Sequence, residues 1–541
     1  MLSQVCLCCL FFSRGFYSCR WTESSSRRRK CRWLSLLVVT LMSLLSLCWL
    51  YICFAISNDQ QNVNEVIFRT LKTWVNYFLV VVIISAVLAS YCVLLLLFAL
   101  IQVASEKQLH LHWLHKIIFC FCVIFITALA SGVSIKGKEE WPTVLTLLQA
   151  TAPFLQFGAV GALTLLSPFV FRRFHLAKTR SKMVIAGMFL VVSAAIFLCP
   201  LLIHSPCLIE VQELPEKPKL IGHRGAPMLA PENTVMSFNR SLECGVIAFE
   251  TDVQLSKNRT PFLMHDHGPD FLLRTTNVKD KFNSSSFNKS TDLTFKQLET
   301  LNAGEQFLKN DPYSTVSLLS QEEKETARKQ TIPSLRDLLE FAKQHNTSVI
   351  FDLKNKETEE IDTNDTVKTI LEFGIPQSLI LWLPSKEREV VKKQAPDFIQ
   401  VYENETDLEK NNGSHLNVKY SEIKMKTISD LRKRNITVNL YVVNERWLFS
   451  MLWCAGASSV TTNACHLLKE MERPDWVMSR STYLITWILV DISSALVMMA
   501  LFHWTKHSLC HNADGPSNEN EQEVFLSSRC FSLEVHNHSL Y

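Results

Sequence analysis

Six long apolar runs restrict the possible folds of this chain more than any other feature of its sequence. Five of them precede residue 205, and the sixth follows a long polar segment. A helix needs about 20 mostly apolar residues to cross a bilayer core of roughly 30 Å. One such run is also compatible with a buried core helix, but six runs separated by short charged loops favour a membrane protein. They cover approximately residues 33–57, 76–103, 116–135, 143–171, 183–204 and 482–504.

Positively charged residues indicate the orientation, because cytoplasmic loops of membrane proteins are enriched in Lys and Arg. Basic residues cluster before the first run and between the fourth and fifth runs, whereas the loops after the first and third runs have no positive excess. We therefore predict that both termini are cytoplasmic and that the polar segment lies outside the cell or in a lumen. The basic residues are Arg20, Arg27, Arg28, Arg29, Lys30, Arg32, Arg172, Arg173, Lys178, Arg180 and Lys182.

This topology divides the chain into five parts. They are a basic, cysteine-rich cytoplasmic arm (1–32), five transmembrane helices (33–204), an extracytoplasmic domain (205–480), a sixth transmembrane helix (481–505) and a cytoplasmic tail (506–541). The basic start and the long first run are typical of a signal anchor rather than a cleaved signal peptide. The plasma membrane and an internal membrane are both compatible with this pattern.

Nine Asn-x-Ser/Thr sequons lie in the polar segment, and such sequons are acceptors for N-glycosylation in secreted domains. Their clustering agrees with an extracytoplasmic location and predicts a glycoprotein. The main candidates are Asn283, Asn288, Asn346, Asn364, Asn404, Asn412 and Asn435, and the other two are Asn239 and Asn258.

The cysteines divide in the same way. Four lie in the polar segment and allow up to two disulfides in an oxidising compartment, with three pairings open. Five others lie in the basic arm, where reversible acylation and ordinary reduced thiols are equally compatible with the sequence. The first group is Cys207, Cys244, Cys454 and Cys465, and the second is Cys6, Cys8, Cys9, Cys19 and Cys31.

Short apolar runs alternate with amphipathic stretches through the polar segment. This alternation over roughly 250 residues favours a parallel sheet closed into a TIM-barrel-like (β/α)₈ domain. The predicted strands are Pro218–His223, Val246–Asp252, Pro261–His265, Ser348–Lys354, Leu379–Leu383, Thr437–Val443 and Ser459–Thr462. Residues 270–330 are rich in Ser, Asn, Lys and Thr, and are predicted to form an inserted loop or small subdomain.

Carboxylates at the ends of the predicted strands indicate a cation site. Glu250 and Asp252 are two residues apart on one strand, so both side chains point to the same face. A solvated surface pair is the simpler interpretation, but the flanking residues are apolar. A hard divalent cation, Ca²⁺ or Mg²⁺, would offset the repulsion. Asp352 ends another strand and is a third predicted ligand, and Glu232 is a fourth.

Two histidines and two cations complete the predicted site. His223 and His265 each follow an apolar run, and a pair of imidazoles beside acidic residues suits a general acid and a general base. Arg224 and Lys354 supply positive charge for a phosphate diester. Together with a metal, these groups predict phosphoryl transfer.

Several motifs in this part of the chain together resemble the signature of glycerophosphodiester phosphodiesterases, from about residue 218 to 470. In order they are GHRGAPMLAPENT (222–234), FETDV (249–253), PFLMHD (261–266), RTTN (274–277), IPSLRDLLE (332–340) and FDLK (351–354). Five spans before the domain and one after it resemble the six-span branch of this family.

The resemblance implies that His223 and His265 are the acid and base, that Arg224 binds phosphate with Lys354 nearby, and that Glu250 and Asp252 bind metal. Glu232 and Asp352 would complete the site. It also implies attack by a glycerol hydroxyl through a cyclic intermediate, with direct attack by water as the alternative. The expected products are sn-glycerol 3-phosphate and an alcohol.

Three positions depart from the family pattern. The usual Asp-Gly turn is Asn258-Arg259, and Arg lacks the freedom of Gly at positive φ. The third carboxylate is usually Glu, whereas Asp352 is one methylene shorter. The late Thr-Asp pair is Thr462-Asn463. We expect an active enzyme with weakened metal affinity and a weakened contact near the last strand.

Alternative functions differ in substrate or in class. The diester is either a water-soluble molecule such as glycerophosphocholine or glycerophosphoinositol, or a lipid-linked one such as a lysophospholipid or a glycosylphosphatidylinositol anchor. A catalytically weak signalling protein is a second possibility. A transporter is disfavoured because the spans contain few ionisable residues, Asp491 being one. The net charge of +4 is small for 541 residues and indicates no nucleic-acid partner.

Overall fold

A computed structural model describes residues 29–104, 111–136, 140–265, 268–282, 289–354 and 359–513. The chain forms two compact units. The first contains the residues up to 147 together with 212–477, and the second contains 148–211 together with the residues from 478 onward. Most of the predicted cytoplasmic arm and tail, and the sequons at Asn283 and Asn288, lie outside the described residues.

Apolar helices form the first part of the chain. They are Arg29–Ile56 (α1), Gln60–Leu71 (α2), Tyr77–Ala104 (α3), Trp113–Lys136 (α4), Trp141–Leu176 (α5) and Thr179–Leu198 (α6). Five of the six predicted runs lie in these helices, each in a stretch long and apolar enough to cross a membrane. Trp49, Leu95 and Phe119 are buried where α1, α3 and α4 meet. Residues 57–76, which connect α1 to α3 and include α2, are called the juxtamembrane segment below.

Eight of the described strands are parallel and form a closed barrel in the polar part of the chain. The strands are Lys219–His223 (β1), Ala248–Leu255 (β2), Pro261–Leu263 (β3), Ser348–Leu353 (β4), Ile380–Trp382 (β5), Ile399–Tyr402 (β6), His415–Lys419 (β7), Thr437–Tyr441 (β8) and Ser459–Thr462 (β9). Because β1 pairs with both β2 and β9, the sheet closes on itself. The predicted (β/α)₈ barrel is confirmed, with every strand except β3 taking part.

Helices separate the barrel strands. They are Val235–Glu243 (α7), Pro269–Thr275 (α8), Val278–Lys281 (α9), Phe295–Leu298 (α10), Glu305–Asn310 (α11), Gln321–Arg328 (α12), Leu335–Gln344 (α13), Glu359–Phe373 (α14), Arg388–Gln394 (α15), Glu405–Lys410 (α16), Met425–Lys433 (α17), Arg446–Ala455 (α18) and Cys465–Lys469 (α19). Helix α13 illustrates why they form: Ser334 and Asp337 make a capping box at its start. Its buried Leu335, Leu338 and Leu339 follow the helical spacing of an apolar face.

Strand β3 differs from the prediction. Pro261–His265 is predicted as one strand of the parallel barrel, but β3 runs antiparallel to β2, with Val253 opposite Leu263. Only residues 256–260 connect the two strands, and parallel neighbours need a crossover of a dozen or more residues. β2 and β3 therefore form a hairpin, and the residues predicted as an insertion follow it with the short helices α8–α12.

Two apolar layers stabilise the barrel, because side chains alternate between its inside and outside. The outer layer lies between strands and helices and includes Phe249, Phe351 and Trp382. The inner layer includes Ile221 and Ile350. A disulfide between Cys244 and Cys465 adds a covalent link between the end of α7 and the start of α19, and it is one of the pairings that the sequence leaves open.

The second unit contains the last apolar helix, Arg480–Ala513 (α20). Within this unit Thr164 and Ser494 form a hydroxyl–hydroxyl hydrogen bond of 2.7 Å, and the indole of Trp487 donates to the carbonyl of Phe197 at 2.8 Å. With α20, the described residues contain six helical stretches of membrane-spanning length and composition. The six predicted apolar runs are thereby confirmed as helices.

Candidate active site

Charged side chains extend the inward-facing rows of the barrel strands. Ile221, Ala248 and Ile350 belong to the inner apolar layer, and residues two or four positions further along a strand face the same way. The residues so placed are His223 on β1, Glu250 and Asp252 on β2, and Asp352 and Lys354 at the end of β4. The strand register sets His223 beside Glu250 and Asp252 beside Asp352. The structure therefore brings these five predicted residues to one edge, the carboxyl edge of the barrel.

The turn after β1 places Arg224 above this edge through an unusual backbone. Arg224 has φ +54° and Gly225 has φ +87°. A Cβ on Gly225 would lie 2.5 Å from the hydroxyl oxygen of Ser237, so only glycine fits against α7. The Ser237 hydroxyl donates to the carbonyl of Arg224 at 3.0 Å and accepts from the amide of Ala226 at 2.8 Å. These bonds stabilise a turn that L-residues rarely adopt.

His223 is held in one orientation by Asn463. Its Nδ1 lies 2.6 Å from Oδ1 of Asn463, and because an amide oxygen only accepts, Nδ1 carries the proton. The other nitrogen, Nε2, lies 3.9 Å from a carboxylate oxygen of Glu250. Burial, followed by the charge of Arg224, lowers the pKa of His223 to about 3. The imidazole is therefore neutral, with the lone pair of Nε2 directed into the site.

Glu232 lies between two arginines. Arg224 donates to it through Nη1 at 3.0 Å, and Nη2 of Arg274 donates to both of its oxygens at 3.2 Å. Burial alone would raise the pKa of Glu232, but Arg274 and Arg224 hold it below its usual value. Arg224 also lies 3.2 Å from Asp252 through Nε. The guanidinium of Arg224 is thus fixed by two carboxylates, with Arg274 behind the first of them.

Lys354 lies between the carboxylates of β2 and β4. Its Nζ is 3.0 Å from Asp252 and forms a shorter contact with Asp352. Burial opposes the positive charge, but Asp252 and Asp352 raise the pKa of Lys354 above its ordinary value. In this arrangement the ammonium group of Lys354 balances the negative charges of Asp252 and Asp352. It is also the cation that is expected near the phosphate.

Three of the four predicted cation ligands, Glu250, Asp252 and Asp352, lie on the adjacent strands β2 and β4. Burial and the adjacent Asp252 raise the pKa of Glu250 well above its usual value, so β2 carries an acidic pair that an additional cation would relieve. Asp352 is level with Asp252. Glu232 instead contacts two arginines. Among the described residues, no group of three His, Cys, Asp or Glu side chains is close enough to hold a metal ion.

The hairpin returns His265 to the level of the acidic pair. The amide of Met264 donates to the carbonyl of Asp252 at 2.9 Å, so the next residue, His265, lies beside the middle of β2. Its ring packs 5.7 Å from that of Phe271 in α8. His265 thus reaches the site from the hairpin rather than from a barrel strand.

An aromatic pocket opens beside Glu232. Its walls come from α8, from the insertion and from the juxtamembrane segment, and the larger side chains are Trp74, Phe271, Phe307, Tyr313 and Ile332. The guanidinium of Arg274 lies 4.6 Å from the ring centre of Phe271 and 5.8 Å from that of Trp74. The pocket provides apolar surface next to the charged groups.

Comparison with known proteins identifies the family. Residues 223–472 match the Glycerophosphoryl diester phosphodiesterase family. The chain is 40% identical over 509 residues to the Mus musculus protein named Glycerophosphoinositol inositolphosphodiesterase GDPD2, covering 92% of this chain and 94% of that protein. The chain belongs to the glycerophosphodiester phosphodiesterase family. As a family member it is a phosphodiesterase, and the resemblance seen in its motifs is confirmed.

Other members are similarly close in sequence. The Gallus gallus protein named Glycerophosphodiester phosphodiesterase domain-containing protein 5 is 38% identical over 510 residues, covering 92% of this chain and 84% of that protein. The chain also matches a solved structure of an Oleispira antarctica phosphodiesterase in complex with sn-glycerol-3-phosphate, with 22% identity and a TM-score of 0.39. The match covers 47% of the present chain and 95% of the Oleispira antarctica chain.

Some residues of the site received no role from the sequence. Arg274 lies in the RTTN motif, but nothing in that motif shows that it clamps Glu232. Asn463 is noted only as a departure from the family pattern, although it binds the imidazole of His223. Both contacts join elements far apart in the sequence, so only the folded barrel shows them.

Proposed function

We propose that this phosphodiesterase hydrolyses glycerophosphodiesters to sn-glycerol 3-phosphate and an alcohol. The observation that carries the proposal is the convergence of His223, Arg224, Glu250 and Asp252 at the carboxyl edge, where barrel enzymes hold their active sites. The family membership supports the reaction class.

His223 acts as the general base in this proposal. Its Nδ1 proton is committed to Asn463, and Nε2 of the neutral ring accepts the proton of the attacking hydroxyl. His265 donates a proton to the leaving alkoxide as the old phosphorus–oxygen bond breaks. When the attacking hydroxyl is that of glycerol, the product is a cyclic phosphate, which water then opens to glycerol 3-phosphate; when water attacks directly, glycerol 3-phosphate forms in one step. Arg224 and Lys354 bind the non-bridging oxygens of the diester, and Glu232 and Asp252 hold Arg224 in place.

We further propose that Glu250, Asp252 and Asp352 hold Ca²⁺ or Mg²⁺, with Glu232 acting through Arg224. When bound, such a cation offsets the charge on the phosphoryl oxygens. The raised pKa of Glu250, which comes from its burial and from Asp252, supports a cation requirement at this pair.

The proposed topology places the barrel outside the cytoplasm, with an arm at 1–32, spans at 33–204, the barrel at 205–480, a last span at 481–505 and a tail at 506–541. N-glycosylation of the barrel is part of the proposal. Its support is that the sequons with described side chains are all exposed: Asn239, Asn258, Asn346, Asn364, Asn404, Asn412 and Asn435.

The decisive experiment measures release of glycerol 3-phosphate from glycerophosphocholine and glycerophosphoinositol by the full chain, with Ca²⁺, Mg²⁺ or EDTA. We expect release with at least one metal, loss in EDTA, and no release by His223→Ala. Absence of release with every diester and metal would refute the proposal. A cellular effect that persists in His223→Ala would instead support the signalling alternative.

Lipid-linked diesters are a second candidate substrate class. The aromatic pocket beside Glu232 includes Trp74 of the juxtamembrane segment, and this apolar surface favours a substrate with an apolar part. Assaying the same preparation on lysophospholipid vesicles and on soluble diesters separates the two classes, because the preferred substrate has the higher kcat/KM.

A further inference from the structure

We propose that Asn58, in the juxtamembrane segment, is a positioning residue for His223. This inference rests on the proposed function of His223 as the general base. It assigns a role in the reaction to a residue that precedes the barrel by about 160 positions and belongs to the connection between two apolar helices.

Asn58 is inserted into the loop that follows β8. Only 1% of it is exposed. Its Nδ2 donates to the carbonyl of Val442 at 2.8 Å, and its Oδ1 accepts from the amides of Asn444 at 2.7 Å and Glu445 at 3.2 Å. The side chain of Asn444 donates in return to the carbonyl of Asn58 at 3.0 Å. One asparagine thus satisfies three backbone groups of the loop, and its own carbonyl is satisfied by the fourth bond.

The loop transmits this constraint to His223. Oδ1 of Asn444 accepts a hydrogen bond from the amide of Asn463 at 2.9 Å, which fixes the residue after β9. The side chain of Asn463 then accepts the Nδ1 proton of His223 at 2.6 Å. Every member of the series is buried or half-buried. Two residues, Asn444 and Asn463, therefore connect Asn58 to the imidazole.

Other residues of the segment contact the same edge of the barrel. Tyr420, directly after β7, donates a short hydrogen bond to Asp59. Further along the segment, Lys72 forms an ion pair with Asp270 in α8. Glu65 lies 3.9 Å from Arg274. The segment is therefore attached to three separate loops of the carboxyl edge.

The geometry predicts which kinetic constant depends on Asn58. Loss of its side chain frees the loop at Asn444, and Asn463 no longer has a fixed backbone from which to orient His223. Arg224 is held separately by Glu232 and Asp252. Removal of Asn58 is therefore expected to lower kcat at least tenfold and to change KM by less than twofold.

The test uses the full chain purified in detergent, with glycerophosphoinositol and glycerophosphocholine as substrates. The variants are Asn58→Ala, Asn444→Ala, the double variant, and Asn58→Asp, which keeps the acceptor for the amides of Asn444 and Glu445 but loses the donor to Val442. Asn62→Ala is the matched control, because Asn62 is an exposed asparagine of the same segment whose side chain, among the residues that the structure describes, hydrogen-bonds only to Asp59, at 3.5 Å. Melting temperature and chromatographic elution report folding.

We expect Asn58→Ala and Asn444→Ala to lower kcat to a similar degree, and the double variant to fall no further, because residues in one series are not additive. Asn58→Asp places a carboxylate oxygen against the Val442 carbonyl and the Asp59 carboxylate, to which Nδ2 now donates, so it should lower kcat at least as far as Asn58→Ala. Asn62→Ala should match the wild type. A folded Asn58→Ala with wild-type kcat, or a double variant with fully multiplicative losses, overturns the inference alone. If Asn58→Ala does not fold, Asn444→Ala decides, because it breaks the same series at its second member; a folded Asn444→Ala with wild-type kcat overturns the inference. A wild-type chain that cleaves neither substrate overturns the proposed function and this inference together.

Discussion

Replacement of Arg274 by Met tests whether the clamp on Glu232 positions Arg224. Arg274 donates to both oxygens of Glu232 at 3.2 Å, and only 4% of its side chain is exposed. Met has a comparable apolar stem but carries no charge, so the substitution removes the ion pair while largely retaining the packing on Phe271. We predict that Arg274→Met lowers kcat/KM by roughly 10- to 100-fold.

The expected loss of kcat/KM follows from the burial of Arg274 and from the number of bonds that Glu232 keeps without it. Removing one member of a buried ion pair costs about 3–5 kcal/mol. Glu232 keeps Arg224 as a partner at 3.0 Å, so the loss should be near the lower limit, about 3 kcal/mol. Part of it destabilises the fold, and the remainder reduces the orientation of Arg224. Because about 1.4 kcal/mol corresponds to a factor of ten in rate, a remainder of about 1.4 to 2.7 kcal/mol of lost transition-state binding gives about 10- to 100-fold.

The assay compares kcat/KM for glycerol 3-phosphate release by Arg274→Met, Arg274→Lys and Arg336→Met. Lys keeps the charge but cannot reproduce the planar fork of Arg, so its effect should be intermediate. Arg336 forms an ion pair of 3.2 Å with Glu372, but the two side chains are 54% and 51% exposed, so its loss should change kcat/KM by less than twofold. A folded Arg274→Met with kcat/KM within twofold of the wild type would refute the clamp.

Three further predictions concern the turn, the cation and pH. Gly225→Ala should lower both the melting temperature and the activity, because its Cβ would lie 2.5 Å from the Ser237 hydroxyl; wild-type values in both assays would contradict this. Glu250→Gln should raise at least tenfold the Ca²⁺ or Mg²⁺ concentration that restores half of the activity after EDTA treatment, and an unchanged concentration would exclude Glu250 as a ligand. Burial and Asp59 raise the pKa of Glu140 to about 7. Because this folded-state pKa lies above the unfolded value, stability that is present below about pH 4.5 is lost as the pH rises to 7. Glu140→Gln should flatten the melting temperature over that interval, and an unchanged slope would show that another group is responsible.

The period of the apolar pattern was sufficient to predict the inward-facing side chains of the site. Glu250 and Asp252 lie two and four residues after Ala248 on the same strand, so they face the inside of the barrel as Ala248 does. Both side chains lie at the carboxyl edge. Two barrel strands, β6 and β7, are not predicted. The inward row of β7 includes Asn417, a polar residue bound to Asn439 inside the barrel at 2.6 Å. Strand β6 has the apolar Val401 in its inward row but is only 4 residues long. Polar residues that face the inside of the barrel interrupt the apolar alternation by which a strand is recognised in the sequence. They are tolerated in the interior because they hydrogen-bond to one another, which only the folded barrel shows.

The apolar residues of β3 also do not indicate whether this strand runs parallel or antiparallel to β2. Parallel and antiparallel strands have the same alternation, and the short turn at Asn258 and Arg259 is the only local sign of a hairpin. Arg259 adopts φ +63° in this turn, as the departure from Asp-Gly implies. Its guanidinium lies 2.7 Å from both Asp362 and Asp365. These ion pairs with α14 offset the backbone strain that Gly would avoid.

Asn463 shows how a departure from a family pattern acquires a physical meaning in the fold. The sequence identifies only an amide in place of a carboxylate near the last strand. In the barrel this amide accepts the Nδ1 proton of His223, so it selects the tautomer without adding a negative charge. An Asp at this place would favour the imidazolium, whereas burial and Arg224 favour the neutral ring. Asn463 therefore fixes the tautomer of His223 but leaves a weaker base than an Asp would give. Its backbone is held by Asn444, which in turn is held by Asn58, so the orientation of this base depends on the segment between the first two apolar helices.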